Sequence, residues 1–163
     1  MSYRVIKNVL KKNERKQLIK DCQPFLIDGK ELSKRFSKGK YPGKQTLDNL
    51  HRHYPFILPL SHMISLISKE LNIGHLKVEK AWVNWCDGKD NVWHHHIPFD
   101  YSVVYYMKTF PLLNSGTVFK DEGFIRCPQN SLIVFPSHLV HSVPKYRFGF
   151  SRYTLAMDLN ISR

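Results

Sequence analysis

The chain has 163 residues, 42% of them hydrophobic and 23% charged, with a formal net charge of +12. That length suits a single domain with a sizeable core, and that balance excludes wholesale disorder. The three cysteines, Cys22, Cys86 and Cys127, form no C-x-x-C pair; this argues against a disulfide framework and fits a reducing compartment.

In chain order, the opening MSYRVIKNVLKKNERK is charged throughout and lacks the apolar core of a signal peptide, so the expected location is cytoplasmic. Basic residues crowd the first 45 positions, among them Lys11, Lys12, Arg15, Lys16, Lys34 and Arg35, against the acids Glu14, Asp21, Asp28 and Glu31. Such a field attracts polyanions, nucleic acid first, although no nucleic-acid motif of defined spacing accompanies it. NERKQLIKDCQPFL places Leu18, Ile19, Cys22 and Phe25 at helical spacing, with Asn13 as the expected N-cap. SKGKYPGKQT reads as a mobile or ligand-facing loop. YPFILPL is the most apolar run, too short for a membrane span and broken by two prolines. LSHMISLISKELNIG predicts a helix capped by Ser61, with Met63, Ile64, Ile67 and Leu71 as its stripe and Gly74 past its end.

From residue 75 the texture changes. HLKVEKAWVNWC, YSVVYYMKTF, GTVFKDE, SLIVFPS and SRYTLAMDL are short, rich in β-branched and aromatic residues, and separated by turn formers. Their spacing predicts a strand meander closed as a barrel or sandwich. The expected organisation is therefore one domain over 1–163, with a helix-and-loop support layer at 1–74 and a β-rich core at 75–163.

The chemistry-bearing residues fall in that β-rich part. Residues two apart on a strand share a face, so His94 and His96 of HHH can converge on one metal while His95 points away. A third ligand must come from a distant part of the chain, and FPSHLVHSVP offers His138 and His141. Arg152 and Thr154 follow on a last strand, again two apart. Ser137 and Ser142 lie near histidines, but no G-x-S-x-G nucleophile elbow supports a hydrolase.

WVN at 82–84, HHH at 94–96, VVYYM at 103–107, SGTVF at 115–119, FPSHLVHSV at 135–143 and SRYT at 151–154 stand in an order that resembles the 2-oxoglutarate/Fe(II)-dependent oxygenase superfamily. More closely the order resembles small oxygenases of marine bacteria and their phages, over roughly residues 75 to 160. The resemblance implies a mostly β fold with N-terminal helices, the double-stranded β-helix or cupin-like jelly roll, with the site in the barrel mouth. It implies Fe(II) held by His94, His96 and His141. It also implies 2-oxoglutarate held at its far carboxylate by Arg152 with Thr154, with Asn84 and Tyr106 as further contacts, and O2 as oxidant. A planar guanidinium suits a carboxylate because it donates two parallel hydrogen bonds. The superfamily's usual second ligand is Asp or Glu; here it is His96, and Asp100 is the expected carboxylate behind a ligating imidazole. The function so implied is a dioxygenase, most simply a hydroxylase. The alternatives are a cupin-like module that binds metal without oxygen chemistry, and a nucleic-acid-associated oxygenase or binder.

Overall fold

The computed structural model describes residues 3–36, 43–86, 92–110, 115–144 and 152–162. Among the described residues, ten strands and three α-helices follow in the order β1 (Arg4–Lys7), α1 (Lys12–Cys22), β2 (Ile27–Asp28), α2 (Gly29–Phe36), β3 (Lys44–Gln45), α3 (Tyr54–Leu71), β4 (Leu76–Cys86), β5 (Tyr101–Lys108), β6 (Gly116–Phe119), β7 (Gly123–Arg126), β8 (Ser131–Pro136), β9 (His141–Ser142) and β10 (Arg152–Ile161). The strands form a seven-stranded sheet, β1-β8-β5-β10-β4-β3-β2, and a three-stranded sheet, β7-β6-β9. All strand pairs are antiparallel. From β5 onward the chain passes between the two sheets, to the small one for β6 and β7, back for β8, across for β9, and back for β10. This alternation is the double-stranded β-helix.

Residue parity on the large sheet decides what each side chain meets. Val83, Val103, Tyr105, Met107, Leu155, Met157 and Leu159 face the helices and join Leu18, Cys22, Phe56, Leu60, Met63 and Ile67 in the main core. Burying each of the larger apolar side chains contributes about 1.5–3 kcal/mol. The opposite parity faces the space between the sheets, where Tyr106, Ile133 and Phe135 pack with Phe119 and Cys127.

Several expectations at the N-terminal end differ from the structure. Helix α1 starts one residue before Asn13, and Lys11 is its N-cap. Its backbone N–H donates to Glu14 Oε2 at 2.8 Å, so a glutamate closes the first turn. Helix α3 begins at Tyr54 and absorbs the apolar run, leaving Ser61 in its interior. Pro55 lies in the first turn, where a missing N–H costs nothing, and Pro59 follows inside the helix. Asn72, with φ of 54°, ends the helix in the left-handed conformation instead of Gly74. The first 74 residues also lend β1, β2 and β3 to the large sheet. Of the SKGKYPGKQT loop, residues 37–42 lie outside the described residues. Its remainder includes Gly43, whose φ is +68° and whose absent Cβ would fall 2.1 Å from the Trp85 carbonyl oxygen. Glycine is required there by both conformation and space.

Candidate metal centre

The small sheet brings the first and last histidines together. His94 and His141 form an antiparallel bridge, each backbone N–H donating to the other's carbonyl, at 3.0 and 2.9 Å. His96 is secured separately: its N–H donates to Ser137 O at 2.8 Å, and Ser137 N–H donates back to Asp100 O at 3.2 Å. Strand β9 and the turn before it thus position all three residues, two through the bridge and one through Ser137.

The side chains converge. One ligand atom from each of His94, His96 and His141 lies within 4.8 Å of the others. Ring centroids are 4.4 Å apart for His94 and His141, 5.1 Å for His94 and His96, and 5.3 Å for His96 and His141. Every Nδ1 is already engaged: His94 with Val92 O at 2.7 Å, His141 with Leu139 O at 3.0 Å, and His96 with the Asp158 carboxylate, both of whose oxygens lie at 3.1 Å. Val92 O and Leu139 O can only accept, so Nδ1 is the donor in His94 and His141 and Nε2 is the atom left to bind, and His96 turns its Nδ1 to a carboxylate in the same way. That is the hydrogen-bonding pattern of metal-binding imidazoles, and three imidazole nitrogens suit a first-row divalent ion. Burial holds His94 below the ordinary histidine range and pushes His141 down to about 3, so both rings stay unprotonated at neutral pH.

The other predicted residues line the interior face of the large sheet. Thr154 on β10 stands opposite Asn84 on β4 and Tyr106 on β5, and Arg152 two residues earlier stands opposite Cys86. Directly opposed residues share a face, so Asn84, Thr154 and Tyr106 form one row across three strands. Arg152 and Thr154 are each 4% exposed and Tyr106 1%. The Tyr106 hydroxyl lies 2.6 Å from Thr117 Oγ1 on the small sheet, a direct polar link across the interior. Tyr105 points the other way and donates to Asn130 Oδ1 at 2.8 Å. His95 and His138 are exposed and lie outside the cluster.

Asp100 does not stand behind an imidazole. Its Oδ2 accepts from the Ile161 N–H at 2.8 Å, and that backbone contact occupies it at the edge of β10. The carboxylate behind His96 is Asp158, on β10 and 1% exposed. It also accepts from Ser102 Oγ at 3.0 Å, and Ser102 Oγ lies 2.8 Å from Ser137 Oγ. Trp82 stacks on the His96 ring with centroids 5.6 Å apart and planes 19° from parallel. The signal for Asp158 lay in parity: in RYTLAMD it shares a strand face with Arg152 and Thr154.

The interleaved sheets, the clustered histidines and the buried arginine invite comparison with solved structures. A viral collagen prolyl hydroxylase from Paramecium bursaria Chlorella virus 1, in its 2-oxoglutarate complex, matches over 100% of this chain and 97% of its own, at 15% identity and a TM-score of 0.67. A Pseudomonas putida prolyl-4-hydroxylase matches over 99% and 94%, at 14% identity and a TM-score of 0.67. HygX from Streptomyces hygroscopicus, solved with nickel and 2-oxoglutarate, matches over 99% and 83%, at 10% identity and a TM-score of 0.69. The fold is that of the 2-oxoglutarate/Fe(II) oxygenases. No family model and no curated protein sequence matches the chain. No helix among the described residues is long and apolar enough to cross a membrane.

Proposed function

We propose that this protein is an Fe(II)/2-oxoglutarate-dependent dioxygenase, acting as a hydroxylase. The observation that carries the reading is the convergence of three Nδ1-bonded imidazoles in a fold whose interior also holds a buried arginine. In this reading His94, His96 and His141 hold the iron. Arg152 receives the far carboxylate of 2-oxoglutarate, Thr154 adds a hydroxyl beside it, and Asn84 and Tyr106 complete the row. Bound iron and 2-oxoglutarate supply oxidation by O2, in which one oxygen atom enters succinate as CO2 leaves and the other enters a substrate C–H bond as hydroxyl. The chain's own work is orientation and exclusion of water. Val92 O, Leu139 O and Asp158 hold the three Nδ1 protons and so keep the opposite nitrogens available. Phe119 and Phe135, edge to face at 4.9 Å, wall the site beside His141. All three cysteines are buried as thiols, which supports a reducing, cytoplasmic setting.

The test is conversion of 2-oxoglutarate to succinate with iron and ascorbate, together with calorimetric titration of 2-oxoglutarate into metal-loaded protein. Arg152→Ala is expected to weaken 2-oxoglutarate about 10- to 100-fold, from the loss of charge-assisted hydrogen bonds worth about 1.5–3 kcal/mol, while metal uptake persists. His141→Ala is expected to lose both. Tight nickel or zinc binding that Arg152→Ala leaves unaltered, with no 2-oxoglutarate binding, would favour a metal-binding module instead, the reading that His96 in place of a carboxylate supports. The net charge of +12 supports a polyanionic partner such as nucleic acid. Binding to DNA or RNA should then weaken steeply with added salt, and salt-independent binding would count against it.

A further inference from the structure

Three imidazoles bring no negative charge to a divalent ion, yet the site has a carboxylate in contact with one of them. We propose that Asp158 is a positioning residue of the metal centre. Through His96 it fixes which ring nitrogen meets the metal, and it gives the centre the negative charge that its three ligands lack. The inference rests on the reading of His94, His96 and His141 as metal ligands.

Five observations support it. Asp158 is 1% exposed, and among the described residues its only ion-pair geometry is with His96. A carboxylate so deeply buried is costly unless charge and hydrogen bonds compensate it. Both its oxygens lie 3.1 Å from His96 Nδ1, so the carboxylate brackets the ring nitrogen. Ser102, 3% exposed, and Ser137, 0% exposed, continue the chain of hydrogen bonds away from the metal side, which fixes the carboxylate in turn. Ser137 also accepts the backbone N–H of His96 at 2.8 Å, so one residue anchors both the main chain of the ligand and the far end of its side-chain support. On the opposite flank Trp82 stacks on the ring and limits its rotation. A carboxylate behind a ligating imidazole raises the basicity of the nitrogen that binds.

The substitution that isolates the charge is Asp158→Asn, which keeps a carbonyl acceptor of the same size. Cobalt(II) is the probe, titrated into wild type, Asp158→Asn and His94→Ala by calorimetry and by its visible absorption. Asp158→Asn is expected to bind cobalt about 10- to 100-fold more weakly than wild type, and His94→Ala to lose binding. A loss of less than tenfold in a folded Asp158→Asn protein overturns the inference and leaves the metal reading intact. Absence of cobalt binding by wild type overturns the metal reading, and the inference with it. Should Asp158→Asn not fold, the unaltered protein decides. Nitrogen-15 spectra of the metal-free chain are expected to show His96 protonated at Nδ1, and protonation at Nε2 overturns the inference.

Discussion

Phe135 stands edge-on to His141, ring centroids 4.7 Å apart, and this enclosure has a consequence in acid. Burial, and next to it the neighbouring His94, push the His141 imidazole down to about 3. In the unfolded chain the same ring titrates near an ordinary value of about 6.5. Between those two values the unfolded state binds the extra proton, so the free energy of unfolding rises with pH. The metal-free protein should therefore lose stability as it is acidified from about pH 6.5 toward about pH 3. Urea unfolding at a series of pH values checks this, and His141→Gln is expected to flatten the slope. At this scale the sequence made the His-x-His pair and the parity of Arg152 with Thr154 legible, because both are local. The support behind His96 was not legible, because its partner lies 62 residues away. Nearness in sequence pointed to Asp100, whereas strand pairing brings in Asp158.

Among the elements, the junction of β1 and α1 depends on a single turn residue. Asn130 precedes β8 with φ of 64°. Its Oδ1 accepts from Leu10 N at 3.0 Å and from the Tyr105 hydroxyl at 2.8 Å, while its Nδ2 donates to Leu10 O at 2.8 Å. One side chain thus bolts the N-terminal segment to the sheet. Asn130→Ala should cost about 4–5 kcal/mol, from three hydrogen bonds of about 1 kcal/mol each and about 1–2 kcal/mol of left-handed strain. Asn130→Gly should recover part of it by removing that strain, and chemical denaturation measures both. Strands β4, β5, β6, β8 and β10 were readable from alternation and β-branched content. Strand β9 has two residues, too short to carry a period, and β7 (GFIR) holds one β-branched residue where β6 (GTVF), equally short, holds two. Prolines 55 and 59 disguised the first turns of α3, since a helix tolerates proline near its start but the pattern reads as a break.

Across the whole molecule, the candidate ligands join what the strands keep apart. His94 and His141 belong with the small sheet, whereas Asp158, behind His96, belongs to the large one. An ion held by His94, His96 and His141 would tie the two layers together. At a free concentration a hundredfold above its dissociation constant it would stabilise the fold by about 2.7 kcal/mol. For a chain of this size that corresponds to a rise in Tm of about 5–10 °C. Thermal unfolding with and without cobalt measures the shift, and His94→Ala should abolish it.

The indole of Trp82, lying flat on His96, makes this protein its own gauge of occupancy. An open-shell ion seated on that imidazole would drain the excited state of the adjacent ring, so filling of the centre should dim tryptophan emission in proportion. Replacement of Trp82 by Phe should leave the remaining fluorescence largely indifferent to the ion. Diamagnetic zinc, bound at the same nitrogens, should produce far less darkening than cobalt.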